Sequence, residues 1–275
     1  MGGVVSSLPN AIACCGEKDY REDGDIAAGL RTKEYSINSP TQELQLSQYD
    51  TEVKSRYKEA KPLPPPQFVG AKGTQISAFL NYLNDIRQHP AKYADRIQAL
   101  YVAQCDDYQG TPFNRVTQLL HNEGWEVFAE AINFLRKVQP IGPVSLEYGL
   151  CACAHNQANH CARLGEPSLT GMGGGSYEQR ILQFGRYTKY NGGCGENCGQ
   201  HIDHDPEKWV LDYVIDEGNP NRGHRENIFN ANYTKVGLGT SQSADGKWFT
   251  TMDFAYDCYC SNAISGEMKY SIGLG

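Results

Sequence analysis

Three features of the chain predict an α+β fold: apolar residues at helical spacing through its middle, strand-like runs near its C-terminal end, and no βαβ alternation between them. Helices first and strands late argue for a mainly antiparallel sheet covered by helices. The first helical period starts just after Gly73. Thr74 is its expected N-cap, and Ile76, Phe79, Leu80, Leu83 and Ile86 recur at three- and four-residue steps. Pro90 interrupts it, and Tyr93, Ile97 and Leu100 then continue the apolar face. A second helix runs through Trp125, Phe128, Ala131, Ile132 and Leu135 and ends before Pro140. A third begins near Ser145 and turns Leu146, Leu150, Ala154, Ala158 and Cys161 inward. Asp205-Pro206-Glu207 opens a fourth, carrying Trp209, Val210 and Tyr213. Residues 235–240 and 247–256 read as strands, joined by the hairpin signal Ser243-Ala244-Asp245-Gly246.

Ahead of this part lies a tail. Residues 17–61 are polar and mixed in charge with no sustained period, the pattern of a disordered or extended arm. Pro62-Leu63-Pro64-Pro65-Pro66 favours a stiff polyproline II spacer. The expected division is a tail over 1–72 and a globular domain over 73–275, with its core at about 74–260.

Met1-Gly2-Gly3-Val4-Val5-Ser6 fits the myristoylation pattern, which would acylate Gly2. One myristoyl chain gives only marginal, reversible membrane binding, so stable residence needs a second anchor. Lys18 is the sole cation among the first twenty residues, which leaves no electrostatic anchor there. Palmitoylation of the vicinal pair Cys14 and Cys15 would supply one. The N-terminus lacks the charged start and long apolar stretch of a secretory signal. These readings place the chain on the cytoplasmic face of a membrane. Asn232-Tyr233-Thr234 is a glycosylation sequon, used only in the alternative of a secreted protein.

The 275 residues are 40% hydrophobic and 21% charged, an ordinary globular balance, and the net charge is −7. That sign excludes a nucleic-acid binder, which needs a basic face. No window holds the eighteen or so apolar residues of a membrane span.

The run Phe79-Leu80-Asn81-Tyr82-Leu83-Asn84-Asp85-Ile86-Arg87-Gln88-His89-Pro90-Ala91-Lys92-Tyr93-Ala94 resembles the opening helix of CAP domains, found in cysteine-rich secretory and plant pathogenesis-related proteins. Gly195-Glu196-Asn197 is similar to the family's Gly-Glu-Asn motif, and Gly223-His224-Arg225 resembles the Gly-His-Arg motif of its bacterial-type branch. Val236-Gly237-Leu238-Gly239 and Met252-Asp253-Phe254-Ala255 resemble its closing strands. The resemblance implies a three-layer α-β-α sandwich. The acylated start also resembles the Golgi-associated plant pathogenesis-related proteins, although the long linker and the bacterial-type motif set this chain apart.

CAP domains hold two His and two acidic residues around a cleft, and some members bind zinc there. By resemblance Glu196 and His224 supply one of each, with Asp212 or Asp216 as the second acid. The other His is missing, because Ser168-Leu169-Thr170-Gly171 puts Leu169 at its place. A catalytic zinc wants three protein ligands and an open position, and Leu169 ligates nothing. Glu196 and His224 therefore carry two readings. One is a metal or acid–base site; the other, favoured, is a structural pair pinning two loops. His201 and His204 are expected to be solvated. Gly171 to Gly175 reads as a flexible loop.

Ten cysteines suit an oxidising compartment, buried reduced thiols or metal ligands. Within the domain they form the sets Cys151/Cys153/Cys161, Cys194/Cys198 and Cys258/Cys260, and any disulfide would link different sets. The expected function is a non-catalytic, membrane-tethered protein that binds lipid, sterol or protein partners and requires no cofactor. The alternatives are a metal-dependent hydrolase using Glu196 and His224 with zinc, or a structural component of a larger assembly with residues 17–67 as its arm.

Overall fold

The computed structural model describes residues 70–106, 123, 125–187 and 193–260. The acylation motif at Gly2, Cys14 and Cys15, the 17–61 arm and the proline run lie outside the described residues. The elements in chain order are α1 (Gly70–Gln88), α2 (Pro90–Asp106), α3 (Trp125–Lys137), β1 (Ser145–Leu146), α4 (Tyr148–Leu164), α5 (Tyr177–Phe184) and β2 (Gly185–Tyr187). Then follow β3 (Cys194–His201), α6 (Pro206–Ile215), α7 (Gly223–Ile228), β4 (Lys235–Gln242), β5 (Trp248–Ala255) and β6 (Cys258–Cys260).

Two helix starts differ from expectation. Thr74 is not an N-cap: α1 begins at Gly70, and the Thr74 hydroxyl donates back to Gly70 O at 3.3 Å. Ser145 and Leu146 are not helical but pair in parallel with Lys235 and Val236. That partner lies ninety residues away, so no local period announces it. Glu147 then caps α4 by accepting from Leu150 N. Pro90 serves as the first residue of α2, where its missing N–H costs nothing.

The main sheet has the order β1-β4-β5-β3, antiparallel except for β1 against β4, while β2 and β6 form a separate antiparallel pair. Side chains alternate across the strands and so divide two layers of helix. Val236, Leu238, Met252 and Phe254 join one core with Phe79 and Leu83 of α1, Phe128 of α3 and Trp209 of α6. Gly237 and Gly239 on the opposite face lie directly against the backbone of α4 at Leu150 and Ala154. The result is a three-layer α-β-α sandwich of the α+β class.

Arg87 ties the first core together. Its guanidinium is buried and donates to Gly142 O at 2.9 Å, Ile228 O at 2.5 Å and Tyr233 O at 3.0 Å. Burial pulls its pKa down to about 10, which still leaves it charged at neutral pH. Backbone carbonyls hold this charge from two segments, Gly142 and the stretch 228–233, where Asn230 O accepts as well at 3.3 Å. Arg87→Lys keeps the charge but not the planar fork, and is expected to cost about 2 kcal/mol in chemical denaturation.

Candidate functional site

The Gly-Glu-Asn motif lies in strand β3, whose eight residues are all buried, and the Gly-His-Arg motif opens helix α7. Neither is a loop, contrary to the sequence reading. Alternation along β3 then separates Glu196 from Asn197. A Cβ on Gly195 would press Asn227 Oδ1 at 2.6 Å and Tyr233 Oη at 2.8 Å, so positions 195, 197, 199 and 201 face α6 and α7. Glu196 and Cys198 face α4 and α5. The Glu196 and His224 side chains therefore stand on opposite faces of the sheet. The two motifs are joined instead through Asn197, whose Nδ2 donates to His224 O at 3.0 Å and whose Oδ1 accepts from Asn227 Nδ2 at 2.8 Å.

On the α4 face Glu196, only 3% exposed, forms an ion pair with Arg180 of α5. The same guanidinium donates to Leu169 O at 2.6 Å and Gly175 O at 2.9 Å. The segment 169–175, with its glycine-rich run, is thus anchored at both ends to the guanidinium that pairs with Glu196. Leu169 packs on Cys161, Ala162, Cys198 and Phe249, filling apolar space. Asp253 stands directly across from Glu196 in the β3–β5 register and is fully buried. Burial pushes both carboxyls up, Asp253 the further because the Glu196 charge is next to it. One guanidinium balances one carboxylate: Glu196 is bound to Arg180, while both Asp253 oxygens are buried without a hydrogen-bond partner, which favours the protonated form of Asp253.

On the other face His224 is 0% exposed, with Nδ1 2.8 Å from Asp216 Oδ1 but off the hydrogen-bonding line. Asp216 ends α6 in a left-handed conformation at φ 57°. Its Oδ2 accepts from His224 N at 2.9 Å and Arg225 N at 3.3 Å, capping the start of α7. Arg225 binds the last carbonyls of α6, Val214 O at 2.5 Å and Ile215 O at 2.9 Å, and reaches Glu130 of α3 at 2.7 Å. Burial lowers its pKa, and Glu130 opposes that shift.

Asp212 does not join this pair. Its side chain is 50% exposed and sits 2.8 Å from Nδ1 of His201. His201 is buried rather than solvated, and its Nε2 lies 2.9 Å from Thr250 Oγ1, itself 2.7 Å from Tyr213 Oη. Carboxylate, imidazole and hydroxyl stand in the order of a nucleophilic triad. Thr250 is fully enclosed and shared with Tyr213, so the array joins β3, β5 and α6 without meeting a substrate. His204 is exposed, as expected, and its ring lies over Trp248 at 4.3 Å.

These positions do not fit a zinc ion. Glu196 and His224 are divided by the sheet, Glu196 is bound to Arg180, and Leu169 offers no donor. Among the described residues no three His, Cys, Asp or Glu side chains are placed to hold a metal. Arg180 and Asp253 were missed in the sequence, although both left signals. Ser176-Tyr177-Glu178-Gln179 is a capping box that announces α5 just before Arg180. An Asp in the middle of the apolar run 248–255 demands a buried partner.

A solved structure of an extracellular protein containing an SCP domain from Bacillus anthracis str. Ames is similar at 18% identity and a TM-score of 0.33. The match covers 53% of this chain and 43% of that one, so the similarity spans less than half of the other protein. No curated protein matches. Residues 129–254, which contain Arg180, Glu196, His224 and Asp253, match the family model described as CAP, the cysteine-rich secretory protein family.

Proposed function

We propose that the chain is a non-catalytic CAP-domain protein held on the cytoplasmic face of a membrane by acyl groups at Gly2, Cys14 and Cys15, where the domain binds lipid, sterol or a protein partner. The observation that carries the non-catalytic half is the placement of Glu196 and His224. Glu196 is buried in an ion pair with Arg180, His224 is fully enclosed beside Asp216, and the sheet lies between them. A catalytic base must reach substrate within hydrogen-bonding distance, and both side chains are enclosed in the interior, away from any surface a substrate could touch. The tether rests on the N-terminal pattern and on two-anchor arithmetic, in which a second acyl chain turns a transient contact into stable residence.

Fractionation of cells expressing the full chain tests the tether. The wild type is expected in the membrane pellet, and Gly2→Ala combined with Cys14→Ser and Cys15→Ser is expected to move most of it to the soluble fraction. An unchanged distribution refutes the tether. Stoichiometric zinc in the purified full chain, lost in His224→Ala, refutes the non-catalytic half.

One observation favours a second reading, secretion. Asn232 and Thr234 of the sequon are both exposed, in the turn that leads into β4. A glycosidase-sensitive mass shift abolished by Asn232→Gln would place the domain outside the cytosol.

A further inference from the structure

The run Gly171-Met172-Gly173-Gly174-Gly175 sets one large apolar side chain among residues that have none. Gly174 N donates to Gly171 O at 2.9 Å, which closes a four-residue turn with Met172 and Gly173 at its centre. Gly173 takes φ 90°, as the second central position of a type II turn requires. Gly171 N also donates to Gly175 O at 2.9 Å, and Arg180 donates to the same Gly175 O. The turn is therefore tied down, and it presents its one side chain to solvent. Met172 is 77% exposed, the most exposed large apolar side chain among the described residues. A Cβ built at Gly173 or Gly174 would meet nothing within 4 Å, so open space lies beside the thioether. Met252 is the opposite case. It is 0% exposed in the middle of β5, paired with Asn197 and Leu238, and joins the core with Leu238 and Phe254.

We propose that Met172 is a reversible oxidation site of the domain, at which a peroxide converts the thioether to its sulfoxide and methionine sulfoxide reductases return it, with the fold intact in both states.

The chemistry needs an exposed sulfur and an oxidant. A thioether carries no proton, so neither a titration nor a neighbouring base takes part. A lone pair of Met172 Sδ attacks one oxygen of hydrogen peroxide, and an S–O bond forms as the O–O bond breaks. The departing hydroxide takes the proton of the transferred oxygen and becomes water. The sum is one thioether and one peroxide giving one sulfoxide and one water: the sulfur loses two electrons, and each peroxide oxygen gains one. At Met172 the new oxygen stands in solvent, and the turn keeps its hydrogen bonds because the Met172 side chain makes none of them. The same oxygen on Met252 would put a polar group among Leu238 and Phe254, at the cost of desolvating it. The free cysteines with described side chains are buried too, which leaves Met172 as the exposed sulfur among the described side chains. Oxidation replaces an apolar tip with a hydrogen-bond acceptor, and sulfoxide reductases reverse the change.

The test treats the full chain with dilute hydrogen peroxide, folded and in urea, stops the reaction with catalase, and follows oxygen uptake peptide by peptide in mass spectrometry. Mapping separates Met172 and Met252 from Met1 and Met268. In the folded chain the Met172 peptide is expected to gain its oxygen at least about tenfold faster than the Met252 peptide. In urea the two rates are expected to agree within about twofold, because the difference belongs to the fold. Reductases for both sulfoxide epimers are expected to remove the oxygen, and the chain oxidised at Met172 is expected to melt where the reduced chain does. Met252 keeping pace with Met172 in the folded chain overturns the proposal. So does a Met172 sulfoxide that the reductases leave in place, or one that lowers the melting temperature. The wild type supplies every arm, so no variant has to fold. The outcome is independent of the membrane tether, because it reads one side chain of the domain.

Discussion

Arg180→Met is expected to destabilise the domain by about 3–5 kcal/mol at pH 7, the usual cost of removing one partner from a buried ion pair. The substitution keeps much of the side-chain volume and removes the guanidinium. It strands the Glu196 carboxylate in the interior and leaves the carbonyls of Leu169 and Gly175 without their donor. Asp253→Asn, one strand away in the same cluster, is expected to cost less than about 1 kcal/mol at the same pH. Burial and the neighbouring Glu196 charge raise the Asp253 pKa well above its ordinary value and favour its neutral form, and Asn is a neutral group of nearly the same shape. Two polar substitutions at neighbouring buried sites thus have very unequal expected costs. Equal losses in urea denaturation would mean that Asp253, not Glu196, carries the charge.

The pH dependence follows from the same cluster. Asp253 has its pKa raised by folding, with burial the main cause and the Glu196 charge next. Below the ordinary carboxyl pKa of about 3.9 both folded and unfolded chains hold that proton, and the group is neutral to stability. Above it the unfolded chain releases the proton while the folded one keeps it, so stability falls as pH rises. The slope per retained proton is at most about 1.4 kcal/mol per pH unit. Asp253→Asn removes this contribution and is expected to gain on the wild type between about pH 4 and pH 7. Arg180→Met forces Glu196 to keep a proton as well. Its loss is expected to be smaller at pH 4 than at pH 7.

The apolar framework of this fold was legible in the sequence, and its polar interior was not. Ile76, Phe79, Leu83 and Ile86 are buried as their spacing requires, and the β4–β5 hairpin forms around the expected Ser243–Gly246 turn. The site misled because Cys194–His201 has no apolar alternation to mark it as a strand. It reads Cys-Gly-Glu-Asn-Cys-Gly-Gln-His and is buried on both faces. Once it is a strand, Glu196 and Asn197 must point apart, and the expected Glu196–His224 pair cannot form. Local sequence also gave no hint that His201 would be enclosed, since Thr250 and Asp212 reach it from β5 and α6. Asp216 was a better guide: it precedes Gly223-His224-Arg225 closely enough to cap the helix those residues begin. Motif spacing identified the segments correctly, but strand alternation decides which side chains meet.

Gly239→Ala tests the other structural dependence of the domain, the approach of α4 to β4. A Cβ at Gly239 would stand 2.2 Å from Ala154 O and 2.4 Å from His155 N, and one at Gly237 would stand 2.0 Å from the carbonyl carbon of Leu150. These neighbours are helix backbone, which cannot rotate aside as a side-chain tip can. The helix must move off the sheet, and it carries Cys153 and Cys161 against the Glu196 cluster. The expected loss is about 3 kcal/mol or more, above the common range for one added methylene. Gly142→Ala, whose Cβ would meet nothing within 4 Å, is expected to stay within about 0.5 kcal/mol of wild type. The double variant Gly237→Ala/Gly239→Ala is expected to cost less than the sum of the single losses. Once the first methyl has lifted α4, the second finds the space already open. Full additivity in chemical denaturation would mean that each glycine is accommodated separately and that the helix does not move as a unit.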